Sequence, residues 1–166
     1  MSVCSGFAPI EPESAHLLIL GTMPSVESLN QAFYYAHPRN AFWPIMAELL
    51  NRPLQTVEQK TQALQQAGIL LWDVLAACQR EGSLDSAIQS PQANDFTWIF
   101  KKHPHLKTVV FNGKSAEALF KRHVLKQQDL PKDLTFLSLP STSPANARLS
   151  LQDKCLLWQE KLADLV

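Results

Sequence analysis

The sequence predicts an α/β fold: a three-layer α/β/α sandwich in which helices cover both faces of a central four-stranded, mostly parallel sheet. Three observations carry that reading. Four runs, at residues 17–20, 69–75, 107–111 and 134–139, are strand-length and largely apolar, as strands buried on both faces are. The stretches between them hold helix start and stop signals. Each run also gives way to a turn built on Gly, Pro, Asn or Asp, where a strand would pass into a crossover.

In chain order, residues 2–14 carry two prolines and no periodicity, so residues 1–14 are expected as an N-terminal tail laid over the surface. Leu17-Leu18-Ile19-Leu20 forms the first strand, and Gly21-Thr22-Met23-Pro24-Ser25 breaks it. Gly21 permits a close backbone approach, and Pro24 cannot donate to a continuing ladder. Ser25 can cap a helix, with Ser28 where a capping box would hold Glu or Gln. Phe33-Tyr34-Tyr35 is a cluster of large rings, followed by the polar loop 36–40 and a helix at 41–50 that Asn40 is placed to cap. Residues 56–66 read as a solvent-facing helix stopped by Gly68.

The second strand, 69–75, places Trp72 and Asp73 near its end. A turn and a short capped helix follow at 81–88, then a helix at 94–102. The third strand, 107–111, runs into Asn112-Gly113-Lys114-Ser115 and a helix at 116–123. The fourth, 134–139, ends in the Pro-bracketed loop 140–148. Ser150 then caps a helix to Leu165, with Leu151, Cys155, Leu156, Trp158, Leu162 and Leu165 as its apolar stripe.

At 166 residues, without repeats, low-complexity segments or a dividing linker, the chain has the size of one domain with a core of its own. No apolar run approaches a membrane span and no leader pattern opens the sequence, so a soluble, cytoplasmic protein is expected. Fifteen basic and fifteen acidic residues balance to zero, which argues against long non-specific tracks on nucleic acid but leaves room for a local basic patch. Cys4, Cys78 and Cys155 are few and widely spaced. Reduced thiols are expected, with no disulfide framework, no metal and no cofactor.

In a parallel sheet the strand ends gather at one carboxyl edge, where ligands bind. Rings, Arg39 and Asn40 on one loop suit a pocket for a flat polar ring; the alternative is that the rings are core and Asn40 only a cap. Asp73 is either a general base or the cap of a turn. Asn112 offers the donor and acceptor that reading a base edge requires, or is part of an ordinary turn into a helix. The hydroxyls of the 140–148 loop, with Arg148, would make a grip for phosphates. The gathering of several polar strand ends weighs more than any one of them.

Taken together, Gly21-Thr22-Met23-Pro24, Tyr35-Ala36-His37-Pro38-Arg39-Asn40-Ala41-Phe42-Trp43, Phe111-Asn112-Gly113-Lys114 and Pro140-Ser141-Thr142-Ser143-Pro144 resemble the uracil-DNA glycosylase superfamily. The likeness is to its mismatch-specific uracil/thymine and hypoxanthine-DNA (deoxyinosine) glycosylase groups, and runs from about residue 10 to the C-terminus. It implies a single glycosylase-like domain over 1–166 and a monofunctional enzyme that hydrolyses the N-glycosidic bond of a flipped-out base, hypoxanthine before uracil. The base pocket would hold Gly21, Thr22, Met23, Pro24, Tyr35, Phe42 and Asn112, with Tyr35 stacking on the base. Arg39, Lys114, Ser141, Thr142, Ser143, Pro144, Asn146 and Arg148 would contact DNA. Met23 stands where mismatch-specific members carry the Asn that holds the hydrolytic water, which leaves Asn40 as the catalytic residue. No Schiff-base lysine stands out, so an abasic site without strand cleavage is expected. The partner would be damaged DNA, duplex or single-stranded, and the enzyme a monomer. Two other readings stay open: a hydrolase of free nucleosides or nucleotides, and a non-catalytic binder of damaged DNA.

Overall fold

The structure, a computed structural model, describes residues 3–166. A short strand, β1 (Val3–Ser5), precedes β2 (Leu17–Gly21), every residue of which is buried. Helices α1 (Val26–Gln31), α2 (Phe42–Leu50) and α3 (Val57–Gln66) follow. Ser25 caps α1, accepting from the Ser28 N–H, and Thr56 with Gln59 closes a full capping box on α3. The chain continues through β3 (Ile69–Asp73), β4 (Leu75–Gln79), β5 (Gln89–Ala93), α4 (Thr97–Lys102), β6 (Thr108–Asn112), α5 (Lys114–Phe120), β7 (Thr135–Leu139) and α6 (Leu151–Leu162).

Four strands form a parallel sheet in the order β3-β2-β6-β7, flanked by helices as expected. Burial on both faces explains the run of Leu17, Leu18, Ile19 and Leu20, all fully buried. From β2 the chain crosses to β3 on one side and later to β6 on the other, so a crevice opens at the carboxyl ends between them. Register does the rest. Gly21 lies beside Asp73, and Leu20 beside Phe111, so the next position of β6, Asn112, ends level with Gly21.

Three features differ from the sequence reading. The run 69–75 stops at Asp73: the Val74 and Leu75 N–H groups turn to the Gly21 and Thr22 carbonyls, and β4 leaves in a new direction. That strand belongs to a second, antiparallel sheet in the order β1-β4-β5, which the sequence did not announce. Its outer member, β1, lies in the expected N-terminal tail, with Cys4 opposite Cys78. Positions 1 and 2 of that tail fall outside the described residues. Ile10 also exchanges backbone bonds with Leu71. Buried His103 accepts from the Ala15 N–H at Nδ1, which leaves Nε2 to donate to Glu11 at 2.6 Å.

Helix α6 is the third difference. Trp158 and Leu162 are buried, but Leu151 and Leu156 of the expected stripe are exposed, and Lys154 completes the inner face. The reason is what α6 packs on. The loop after β7 presents carbonyls that need donors, and Trp158 Nε1 reaches Pro140 O at 2.9 Å while Lys154 Nζ reaches Ser143 O at 3.1 Å.

Candidate functional site

At the carboxyl edge of the parallel sheet lies an open cavity of about 630 Å³, within the size range of ligand pockets. Its wall is built from the ends of β2, β3 and β6, the loop between α1 and α2, a 3-10 turn at Asp85–Ala87 and the loop after β7. Of the expected base-pocket residues, Gly21, Thr22, Met23, Pro24, Tyr35 and Asn112 all border it, and so does Asn40.

Phe42 does not. It is fully buried behind Tyr35, the two rings stacked with centroids 4.2 Å apart, so it supports the pocket from the core. The Tyr35 backbone sits at φ 52°, an unusual angle for an aromatic residue, which turns its hydroxyl toward the cavity floor. A Cβ on Gly21 would meet that hydroxyl at 2.7 Å and Asp73 Oδ1 at 2.6 Å. Only glycine lets the turn lie this close to both.

Two buried polar atoms on this floor have no partner among the described residues: the Tyr35 hydroxyl and Asp73 Oδ2. The Asn112 amide approaches the Tyr35 hydroxyl short of hydrogen-bonding geometry. Burial pushes the Tyr34 and Tyr35 hydroxyls well above the usual phenol range, and the Asp73 charge adds to it. Burial likewise pushes the Asp73 carboxyl up to about 7, with Asp85 adding and Arg80 opposing. Orphaned polar groups of this kind are rare in folded proteins, and at the bottom of a cavity they point to a ligand with polar edges.

Asn40 stands one residue before the expected place: Ala41 is the N-cap of α2 and has no side-chain capping bond, while Asn40 Oδ1 accepts from the Phe42 N–H at 2.9 Å. That use leaves a second lone pair on Oδ1 and the NH₂ group for something in the cavity. Asn112 is more fully engaged. Its Nδ2 donates to Thr142 Oγ1 and its Oδ1 accepts from the Thr142 N–H, both at 2.9 Å. Thr142, expected to face DNA, is fully buried, and its carbonyl accepts from the Ala41 N–H. The pair therefore pins the loop after β7 to the end of β6. Ser141, Ser143, Pro144 and Asn146 of that loop border the cavity, whereas Arg39, Lys114 and Arg148 are exposed outside its wall.

Arg80 went unmarked in the sequence because it directly follows a strand without pattern, β4. It is 2% exposed and its guanidinium donates to Pro24 O and Ser83 O, tying the first turn to the segment before the 3-10 helix. Thr22 Oγ1 donates to Asp85 at 2.7 Å and the Val26 N–H to Ser83 Oγ at 2.9 Å, which reinforces the same join. Between these pinned neighbours stands Leu84, 58% exposed on the cavity lip. Among the described residues no cluster of His, Cys, Asp or Glu could hold a metal, and no helix is long and apolar enough to cross a membrane. The three cysteines carry free thiols.

Known proteins match this chain along almost its whole length. The profile of the uracil DNA glycosylase superfamily covers residues 8–165. A Methanosarcina acetivorans protein named hypoxanthine DNA glycosylase is 36% identical over 149 residues, 87% of this chain and 89% of its own. A Methanosarcina barkeri protein of the same name is 37% identical over 113 residues, 67% of this chain and 72% of its own. A solution NMR structure of a candidate uracil DNA glycosylase from Methanosarcina acetivorans superposes with a TM-score of 0.81 at 32% identity, covering 99% of each chain.

Proposed function

The chain belongs to the uracil DNA glycosylase superfamily, and from that premise we propose that it is a monofunctional DNA glycosylase removing a deaminated base from DNA. Hypoxanthine is the first substrate and uracil the second, with an abasic site as product for base excision repair. One observation carries the reading: Gly21, Asp73 and Asn112 from three strand ends and Tyr35 with Asn40 from one loop meet at a single cavity with unsatisfied polar atoms on its floor. That two relatives are named hypoxanthine DNA glycosylase supports hypoxanthine as the first choice.

Breaking the N-glycosidic bond leaves positive charge on the sugar and negative charge on the departing base. The base must first leave the stack, a step that costs a few kcal/mol and costs least at a mispair. The Tyr35 ring, backed by Phe42, gives the extruded base a stiff surface to lie against. Asn40 holds the attacking water through the lone pair and NH₂ left over from its bond to the Phe42 N–H. An amide cannot take a proton at neutral pH, so it orients the water, and the rate depends on stabilising the leaving base. Leu84 and the 141–146 loop both border the opening. An exposed apolar residue so placed can press between base steps as the nucleotide swings out. The enzyme acts as a monomer.

The test is excision from end-labelled oligonucleotides that each carry one modified base, with alkali to reveal abasic sites. Release of hypoxanthine, with little or no turnover of free deoxyinosine, is expected. Asn40→Ala should remove excision under single-turnover conditions while leaving binding to the lesion duplex within a few-fold. Wild-type rates in that variant would take Asn40 out of the mechanism.

A further inference from the structure

Asp73 ends β3 on the cavity floor, 3% exposed, with Oδ2 unpartnered and Oδ1 crowded against Gly21 beside the Tyr35 hydroxyl. Its backbone is anchored without the side chain: the Asp73 carbonyl accepts from Asn94 Nδ2, and Val74 turns to Gly21. The carboxyl group therefore does no visible structural work, yet burying it is unfavourable. Resting on the glycosylase reading above, we propose that Asp73, as an uncharged carboxylic acid, reads the N–H/C=O edge of the extruded base.

Hypoxanthine presents N1–H and C6=O side by side. A neutral carboxyl matches that pair, its carbonyl accepting from N1–H and its O–H donating to O6. No proton is transferred; the O–H stays on Asp73. The donated bond strengthens as negative charge spreads onto the departing base, so it favours the transition state over the ground state. An ionised carboxylate at the same place would accept from N1–H but repel the leaving anion.

Electrostatics favour the neutral form. Tyr34 and Tyr35 from the α1–α2 loop stay protonated near neutral pH, being raised by burial. Arg80, just past β4, opposes the raised carboxyl, while Asp85 from the 3-10 turn reinforces burial in raising it. His37 and Glu27 also border the cavity. Excision should accordingly fall as pH rises above about 7, the value to which the Asp73 carboxyl is pushed.

The experiment measures single-turnover excision of hypoxanthine and of N1-methylhypoxanthine from matched oligonucleotides between pH 5.5 and 9, with circular dichroism to confirm folding. Asp73→Ala should slow hypoxanthine release on the order of 10- to 100-fold, the loss expected for a buried hydrogen-bonding group. Asp73→Asn keeps a donor and an acceptor, so it should stay within a few-fold of wild type and lose the alkaline fall. His37→Gln should keep that fall. N1-methylation should slow the wild type and make little difference to Asp73→Ala. Four results would each overturn the role: Asp73→Ala excising like wild type, Asp73→Asn as slow as Asp73→Ala, wild-type rates that climb with pH, or Asp73→Ala still discriminating against the methylated base. A wild type inactive on every base would bring down the reaction itself, and this role with it. An active wild type indifferent to Asp73 brings down the role alone.

Discussion

Asp73→Asn has a second consequence that needs no substrate. The folded protein holds the Asp73 proton up to about pH 7, well above the ordinary carboxyl value of 3.8, because burial and the Asp85 charge disfavour the carboxylate. The unfolded chain releases that proton near its ordinary value. Between roughly pH 4 and 7 the folded state therefore binds more protons than the unfolded state, and unfolding free energy falls as pH rises through that window. About three pH units at 1.36 kcal/mol each set a ceiling of ~4 kcal/mol on the loss. Asparagine is nearly the same size and cannot ionise, so the variant lacks the slope. Urea unfolding of wild type and Asp73→Asn at pH 5, 6, 7 and 8 should show the variant gaining with pH, by up to ~3 kcal/mol from pH 5 to 8. Parallel stability curves would refute the reasoning, because they would mean the carboxyl ionises as freely in the fold as out of it.

Two further outcomes follow from the walls of the cavity. Asn112→Ala removes both bonds to Thr142 and leaves its buried N–H unsatisfied, so stability should fall by about 1–3 kcal/mol in denaturant titrations. The same variant should make the 141–146 loop more open to proteolysis; an unchanged midpoint would show that the pair is dispensable. Leu84→Ala should slow excision from duplex oligonucleotides while sparing the single-stranded form, where no stack needs to be filled. Equal slowing on both substrates would deny Leu84 a part in opening the duplex.

The parallel sheet was legible because β2, β3 and β6 are buried on both faces and so written as apolar runs, while the edge strand β7 keeps enough apolar residues to read as a strand though Thr135 and Ser138 are exposed. Capping was legible at Ser25 and Ser150, which accept from the backbone three residues on, in local geometry that the sequence itself encodes; the Thr56 capping box was not marked. The antiparallel sheet was not. Its strands, VCS, LAACQ and QSPQA, show neither alternation nor β-branched enrichment, and β5 even holds a proline, so only long-range pairing makes them strands. The site divides in the same way. Asn40 and Tyr35 could be placed on the cavity by their loop. The engagement of Asn112 by Thr142, thirty residues away, could not, nor could the line of Lys154 inside α6. Asp73 was visible as a strand-end acid, but a cap and an orphaned carboxyl look alike until burial tells them apart.

The wall of the cavity is braced at several points. Arg80 clamps Pro24 to Ser83, Thr22 holds Asp85, and Asn112 with Lys154 fastens the loop after β7. A mouth so stiff has little capacity to wrap around what it takes in, so on the proposed function the shape change falls on the nucleic acid. Lesions in stretches that bend and unstack easily would then be repaired ahead of the same lesion in a rigid tract. The distribution of unrepaired damage along a genome would carry the imprint of local helix mechanics as well as base chemistry.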